Sequence, residues 1–425
     1  MKKVIASAGV LALGALGVQS VHADNALTSA NRPWTLSGTL RGFYDDNYNT
    51  QPDHSPAHRG SFGFEVRPQG TVSYSTGPTT INASYTYSDR YFAQRPGKKN
   101  DQSHDFELTV LHAFNERYSL DFLESFVDAQ EPEVIDTSLS FPLRANGDNF
   151  RNTASLNLHA QATKLLGFVL GYANSFYDYT GTTPGLDLPS YGTSLNRFEH
   201  LVTLDSRWTI NEETVGIFGY QFGAVDYLAH GSLSPAGFPY LAPNSRDNYN
   251  HTLYVGVEHS LRSDLSVSLH AGATYYDYYN EPPGESVSTW GPYVDASAQY
   301  TYMQGGALTL GFRHSRNATD VGFSLGGLVM DQESSSVYGT VEQTLSWLSP
   351  KLIAHLSAQY QASRFNGGGF NNDHDTFYLL GVNFTYQFNP HFSAEAGYNY
   401  DLLHSDVPGR PYDRNRVYVG VTATY

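Results

Sequence analysis

After Trp34 this chain is built from segments that alternate apolar and polar residues, and the breaks between those segments take turns in length. Short breaks carry tight-turn chemistry: "STGPT", "FNERY", "ATKLL", "INEET", "LRSDL", "MQGGA", "LSPKL" and "FNPHF". Between them lie long polar stretches rich in Gly and Pro, among them "NTQPDHSPAHRG", "GTTPGLDLPSYGTS" and "LHSDVPGRPYDRN". Eight short and nine long breaks bracket about eighteen segments of roughly 10 to 14 residues. Propeller blades have no reason to alternate turn length this regularly, and a large secreted sandwich or β-helix does not demand it either. A strict long–short rhythm with an even strand count is the expectation for an all-β, antiparallel up-and-down transmembrane barrel. Such a barrel has short periplasmic turns and long extracellular loops.

The alternation itself has period two. In "TFYLLGVNFTYQF" one face reads Thr376, Tyr378, Leu380, Val382, Phe384, Tyr386, Phe388, and the other includes Gly381, Asn383, Thr385, Gln387. "TINASYTYS" and "ASLNLHAQ" repeat the pattern, and it marks half-buried strands, not helices. Mean hydropathy is −0.39, yet aromatics make up 14% of the chain, with 32 Tyr and 24 Phe. A polar average with this many rings suits strands with one apolar and one wet face, not a disordered chain. Aromatics mark both ends of the segments. Phe114, Tyr118, Phe388 and Phe392 stand beside short turns, and "GFYDDNY", "DRYFA", "SFYDY", "TYYDYY" and "GYNYD" stand at the opposite ends. Two interfacial girdles are the expectation, with Asp marking the exit into water.

The first residues set the compartment. "MKK" is a basic n-region, "VIASAGVLALGALGV" an apolar h-region, and "VHA" before Asp24 a small-residue cleavage pattern. Residues 1–23 are expected to be a cleaved signal peptide, 24–33 a short periplasmic tail, and 34–425 the barrel. Loss of Lys2 and Lys3 with the leader takes the formal charge from −16 to −18, which disfavours nucleic acid as a partner. There are no cysteines, so disulfides, thiol catalysis and Cys-ligated metals are excluded. No cofactor is expected.

"LSGTLRGFYDDNYNT", "RPGKKNDQSHDFELTVLHAFNERYSL" and "ESFVDAQEPEV" resemble the β-barrel porin 2 family of bacterial outer-membrane proteins. The likeness runs from Trp34 to Tyr425 and is sharpest before about residue 140. It implies an outer-membrane barrel with pore function and brings no catalytic or substrate residues with it.

Opposite the apolar stripe, the inward face is expected to carry Arg41, Glu65, Arg67, Arg90, Glu107, Asp121, Asp205, Arg207, Glu258, Asp295, Arg313, Glu342 and Glu395. Its acidic excess favours cations modestly, unless acids and arginines pair across strands and pack the interior. A barrel of 16 to 18 strands leaves an aqueous lumen unless something plugs it. No N-terminal plug is expected, and no TonB box is evident in "DNALTSANRP". Should a loop fold inward, the stretch from Glu131 to Asn149 is the candidate constriction, lined by Glu131, Glu133 and Asp136, with an extracellular flap as the alternative; the apolar "LSPAGFPYLAP" is its rival as lid or trimer latch.

"NDQSHD" and "NNDHD" suggest a rim cation site from Asp101, His104, Asp105, Asp373, His374 and Asp375. No G-x-S-x-G element or comparable local signature marks an enzyme. The ending "VYVGVTATY" reads as a last strand that pairs with the first, with Gly420 and terminal Tyr425 as a barrel-assembly signal. The sequence thus predicts an outer-membrane porin giving passive diffusion of small hydrophilic solutes or ions. The alternative is a closed barrel acting as adhesin or surface scaffold through its loops. Expected partners are outer-membrane lipid and lipopolysaccharide, the barrel-assembly machinery and those solutes; a homotrimer is left open, because its interface would use the same apolar outer face that lipid covers.

Overall fold

The structure, a computed structural model, describes residues 32–129, 149–179, 195–229, 242–281, 288–321, 323–324 and 327–425. Short turns join β2 (Ser61–Thr76) to β3 (Thr79–Phe92), β4 (Asn100–Ala113) to β5 (Tyr118–Ala129), and β6 (Asn149–Gln161) to β7 (Leu166–Tyr179). They also join β8 (Arg197–Thr209) to β9 (Thr214–Tyr227), β10 (Asn248–Arg262) to β11 (Leu265–Asp277), and β12 (Thr289–Met303) to β13 (Gly306–Asn317). The last two hairpins are β16 (Asp331–Thr344) with β17 (Leu352–Asn366) and β18 (His374–Asn389) with β19 (Phe392–Ser405). A two-residue pair, β14 (Phe323–Ser324) and β15 (Gly327–Leu328), lies inside the connection from β13 to β16.

β1 (Trp34–Asp45) pairs with both β2 and β20 (Tyr412–Thr424), so the 18-stranded antiparallel sheet closes on itself. The eight short and nine long connections fall where the sequence places them, each kind at one end of the barrel. Tight turning has a local cause: Gly305, at φ 72°, makes the two-residue link between β12 and β13.

The seam is continuous to the last residue. β1 and β20 pair from Ser37↔Thr424 to Asp45↔Arg416, and Leu36 and Tyr425 exchange backbone hydrogen bonds of 3.0 and 2.8 Å. Arg32 lies over the rings of both Trp34 and Tyr425, 5.7 and 4.7 Å from their centroids. A closed sheet leaves no edge N–H or C=O unpaired, which is the condition for β structure in hydrocarbon.

The apolar residues are on the outside. Leu36 and Leu40 are each 55% exposed, Val419 64% and Val421 56%. Water would not tolerate a band of this size around the barrel, whereas lipid favours it. At the long-loop end the band finishes in rings packed edge to face or stacked, Phe126–Phe150–Phe176–Phe198, with centroids 5.0, 5.7 and 4.6 Å apart. At the short-turn end Phe114, Trp208, Phe388 and Phe392 stand exposed. These are the two girdles expected from the aromatic pattern.

Candidate functional site

Period-two geometry places every second residue of a strand on the inner wall, and strand pairing carries that face around the barrel. All thirteen predicted residues share the face opposite the exposed apolar stripe, as the register shows: Arg41↔Glu65↔Arg90, Asp205 beside Arg207, Asp295↔Arg313, and Glu395 on β19. Arg67 shares the β2 face with Glu65; Glu107 stands opposite Ser84 and Ser125; Glu342 stands opposite His355.

Most of these charges meet a partner. Arg41 donates to Glu65 at 2.9 Å and to Glu395 at 3.0 and 2.9 Å, and its guanidinium lies 4.3 Å from the Tyr418 ring centre. Glu65 accepts further bonds from Ser88 (2.6 Å) and Arg90 (3.4 Å). Arg207 makes a two-pronged contact with Glu258, and Arg313 holds Asp295 at 2.8 Å. Asp121 meets His159 at 2.8 Å, and Asp205 accepts from the Tyr254 hydroxyl at 2.5 Å. Inner-wall acids and arginines thus pair across neighbouring strands, which fixes side-chain positions and mutes the net field.

Nearer the long-loop end the inner wall carries charged residues that the sequence reading missed. Arg414 bonds Asp45, and Arg416 bonds Asp401 at 2.8 Å. Arg197, 2% exposed, bonds Glu199 at 2.7 Å and lies 4.1 Å from the Tyr177 ring centre. Continuing the parity of "RVYVGV" upward by two and four residues would have found Arg416 and Arg414. They were missed because no apolar stripe marks the facing above the girdle.

The connection from β13 to β16 packs against the inner wall at the long-loop end. Val321 and Val329 of that loop form one buried cluster with Phe365, an inward residue of β17, and Val407 of the β19–β20 loop. Arg410 in the latter loop bridges Asp320 at 2.9 Å and Asp375 at 2.8 Å. Burial alone would lower the Arg410 pKa, but the two carboxylates outweigh it and hold it above its ordinary value. Asp320 also lies within electrostatic range of Tyr179 on β7, across the opening from β17. Beneath the loop, Phe377, Leu379, Leu403 and Tyr412 form an apolar patch on the inner wall. The expected constriction residues Glu131, Glu133 and Asp136 lie outside the described residues, as does most of "LSPAGFPYLAP".

The predicted rim cation sites do not assemble. Asp101 and Asp105 face inward and His104 outward, because neighbouring strand residues point to opposite faces. Asp101 is held by Arg95 in a two-pronged contact at 2.6 Å. Asp375 is held by Arg410, and His374 stands 3.4 Å from Asp406. Asp373 accepts from the Phe365 N–H and donates its own N–H to the Phe370 carbonyl, each at 2.9 Å. Among the described residues, the grouping with metal-ligand spacing is instead Asp53, His58 and Asp413, whose ligand atoms lie within 4.8 Å of one another. Asn47 fixes that loop against the seam, donating to the carbonyls of Gln51 and Asp413 at 2.8 Å.

Fold and site define the class: a closed up-and-down β-barrel with a lipid-compatible exterior, a charged inner wall and a loop packed against that wall at one end. The family described as Putative beta-barrel porin 2 matches residues 314–425, from the end of β13 through the seam. The stretches before residue 140 that carry the sequence resemblance lie outside that match. No curated protein matches the chain. Among solved structures it is similar to Acinetobacter baumannii OccAB4, at 12% identity and TM-score 0.44, covering 92% of this chain and 98% of that one. It is also similar to Pseudomonas aeruginosa OpdL, at 14% identity and TM-score 0.43, covering 92% and 99%. Pseudomonas aeruginosa OccK2, solved in complex with glucuronate, is similar at 11% identity and TM-score 0.44, covering 92% and 98%.

Proposed function

We propose that this protein is an outer-membrane porin through which small hydrophilic solutes and ions diffuse passively. The observation that carries the reading is closure of eighteen strands around an inner wall of charged residues, since a barrel of this size encloses more space than its side chains fill. The family matched over residues 314–425 bears a porin name, which agrees. The long loops face outward from the cell, the short turns face the periplasm, and residues 1–23 are the export signal removed on the way.

Eight carboxylates and five arginines make up the predicted inner wall, so cations pass somewhat more readily than anions; pairing keeps the preference small. The charges act as a positioned, hydrated lining, and no step consumes energy or breaks a covalent bond. Arg410 anchors a loop against the inner wall at the long-loop end, where it limits the size of what passes.

Conductance of the purified chain in planar bilayers tests this reading. Stepwise ohmic openings with a cation-leaning reversal potential are expected. An ion-impermeable barrel would overturn the pore and leave a surface scaffold acting through its loops.

A further inference from the structure

Three pairs of neighbouring strands, β3–β4, β7–β8 and β9–β10, repeat one arrangement on the outside of the barrel. Tyr85 meets His104 Nδ1 at 2.7 Å, Tyr172 meets His200 Nδ1 at 3.0 Å, and Tyr220 meets His251 Nδ1 at 2.7 Å, each through the tyrosine hydroxyl. Ring centroids are 6.2 Å apart in all three. Each tyrosine stands seven residues before the end of its strand, at Phe92, Tyr179 and Tyr227. Each histidine sits opposite the residue two further on: Tyr87, Asn174 and Phe222. His404 on β19 shares the outward face, against the Tyr378 ring, whereas His314 on β13 is turned to Ser335 and to the Glu333 carboxylate, 3.2 Å from its Nε2, and does not join the set.

The level of this ring is defined by its neighbours. Toward the short turns the same outward rows read Ile81 and Ala83, Phe168 and Leu170, and Phe218; toward the long loops they reach Asp89, Asp178 and Asp226. The tyrosine–histidine pairs therefore stand in the upper part of the apolar band, just inside the Phe176–Phe198 rings and four to six residues short of those carboxylates, at the lower edge of the headgroup region.

The protons on these rings follow from the contacts. His200 Nδ1 lies 3.0 Å from both the Tyr172 hydroxyl and the Asn174 side-chain nitrogen. An amide nitrogen only donates, so Nδ1 accepts, and the neutral imidazole carries its hydrogen on Nε2. In His104 and His251 the Nδ1 contact is to a tyrosine hydroxyl, which can donate to it in the same way. Nδ1 is satisfied within the pair, and Nε2–H remains as a donor on the outer surface.

We propose that this ring of histidines binds the phosphate groups of lipid headgroups in the leaflet at the long-loop end. The inference rests on the membrane-barrel reading above. Hydrocarbon offers an N–H no acceptor, whereas a headgroup phosphate is a charged one and makes the stronger hydrogen bond. The histidines stand on β4, β8 and β10, with His404 on β19, spread around the circumference. That distribution suits lipid, which surrounds the barrel; a second copy of the chain would cover one sector.

The test titrates the purified full chain in detergent with bisphosphorylated lipid A and with its dephosphorylated form, reading retained lipid by native mass spectrometry. Wild type should prefer the phosphorylated lipid. The variant H104F/H200F/H251F, which keeps aromatic bulk, should bind it about tenfold more weakly per site and bind the dephosphorylated lipid unchanged. Single substitutions, each losing part of the preference, decide the matter should the triple variant fail to fold.

Equal binding of both lipids by wild type, or an undiminished preference in the variants, overturns the proposal. Full competition by inorganic phosphate at equal concentration overturns the headgroup as ligand, and retention of a second protein copy in place of lipid overturns the choice of partner. Conductance of the same samples is read separately, so a silent barrel that keeps its lipid preference counts against the pore alone.

Discussion

Arg41 shows how one side chain can organise an inner wall. It joins β2 to β19 across the first strand by holding Glu65, which is 3% exposed, and Glu395. Arg41→Ala leaves Glu65 with Ser88 and Arg90 alone and strips the guanidinium from Glu395, and the expected loss is about 2 kcal/mol of barrel stability, read as a lower urea midpoint by tryptophan fluorescence. The same change removes one positive charge from the lining, so the reversal potential should shift further toward cations. A Lys in its place should recover the charge but not the geometry, because an ammonium cannot span two carboxylates as a guanidinium does.

The loop from β13 to β16 has little secondary structure of its own and is held by what it touches. Its apolar residues reach Phe365, and Asp320 reaches Arg410. Arg410→Ala should free the loop, raising single-channel conductance and adding millisecond gating noise while the barrel stays folded. The raised pKa of Arg410 gives the sign of any pH effect: a cation stabilised by folding contributes fully below its ordinary pKa. Conductance should therefore stay flat from neutral pH to about pH 10 on this account. A steep alkaline increase would show that something other than this clamp holds the loop.

The closed sheet makes the last strand a structural partner of the first. Removing Tyr425 deletes two backbone hydrogen bonds and the ring that Arg32 covers, at the one seam joining segments nearly 400 residues apart. We expect insertion yield to fall severalfold, with normal conductance from each barrel that does insert; heat-modifiable gel migration and bilayer recordings measure the two separately. Equal yield from the truncated chain would deny Tyr425 its assembly role. Modest cation preference should decline as salt rises, because paired lining charges are screened within about 10 Å at 0.1 M.

Strand number, turn placement and the outward face were legible in the amino-acid order because each depends on neighbours in the chain. Turn residues act within four positions, and alternation declares which side of a strand meets lipid. The ring Phe126, Phe150, Phe176, Phe198 follows from that alternation, as does the seam at "VYVGVTATY". The rim cation expectation failed for a local reason: His104 and Asp105 are adjacent in sequence and so point to opposite faces. Asp53, His58 and Asp413, the pairing of Arg41 with Glu395, and the loop clamped by Arg410 join segments remote in sequence. Closing the barrel brings them within reach, so only the tertiary structure could decide them.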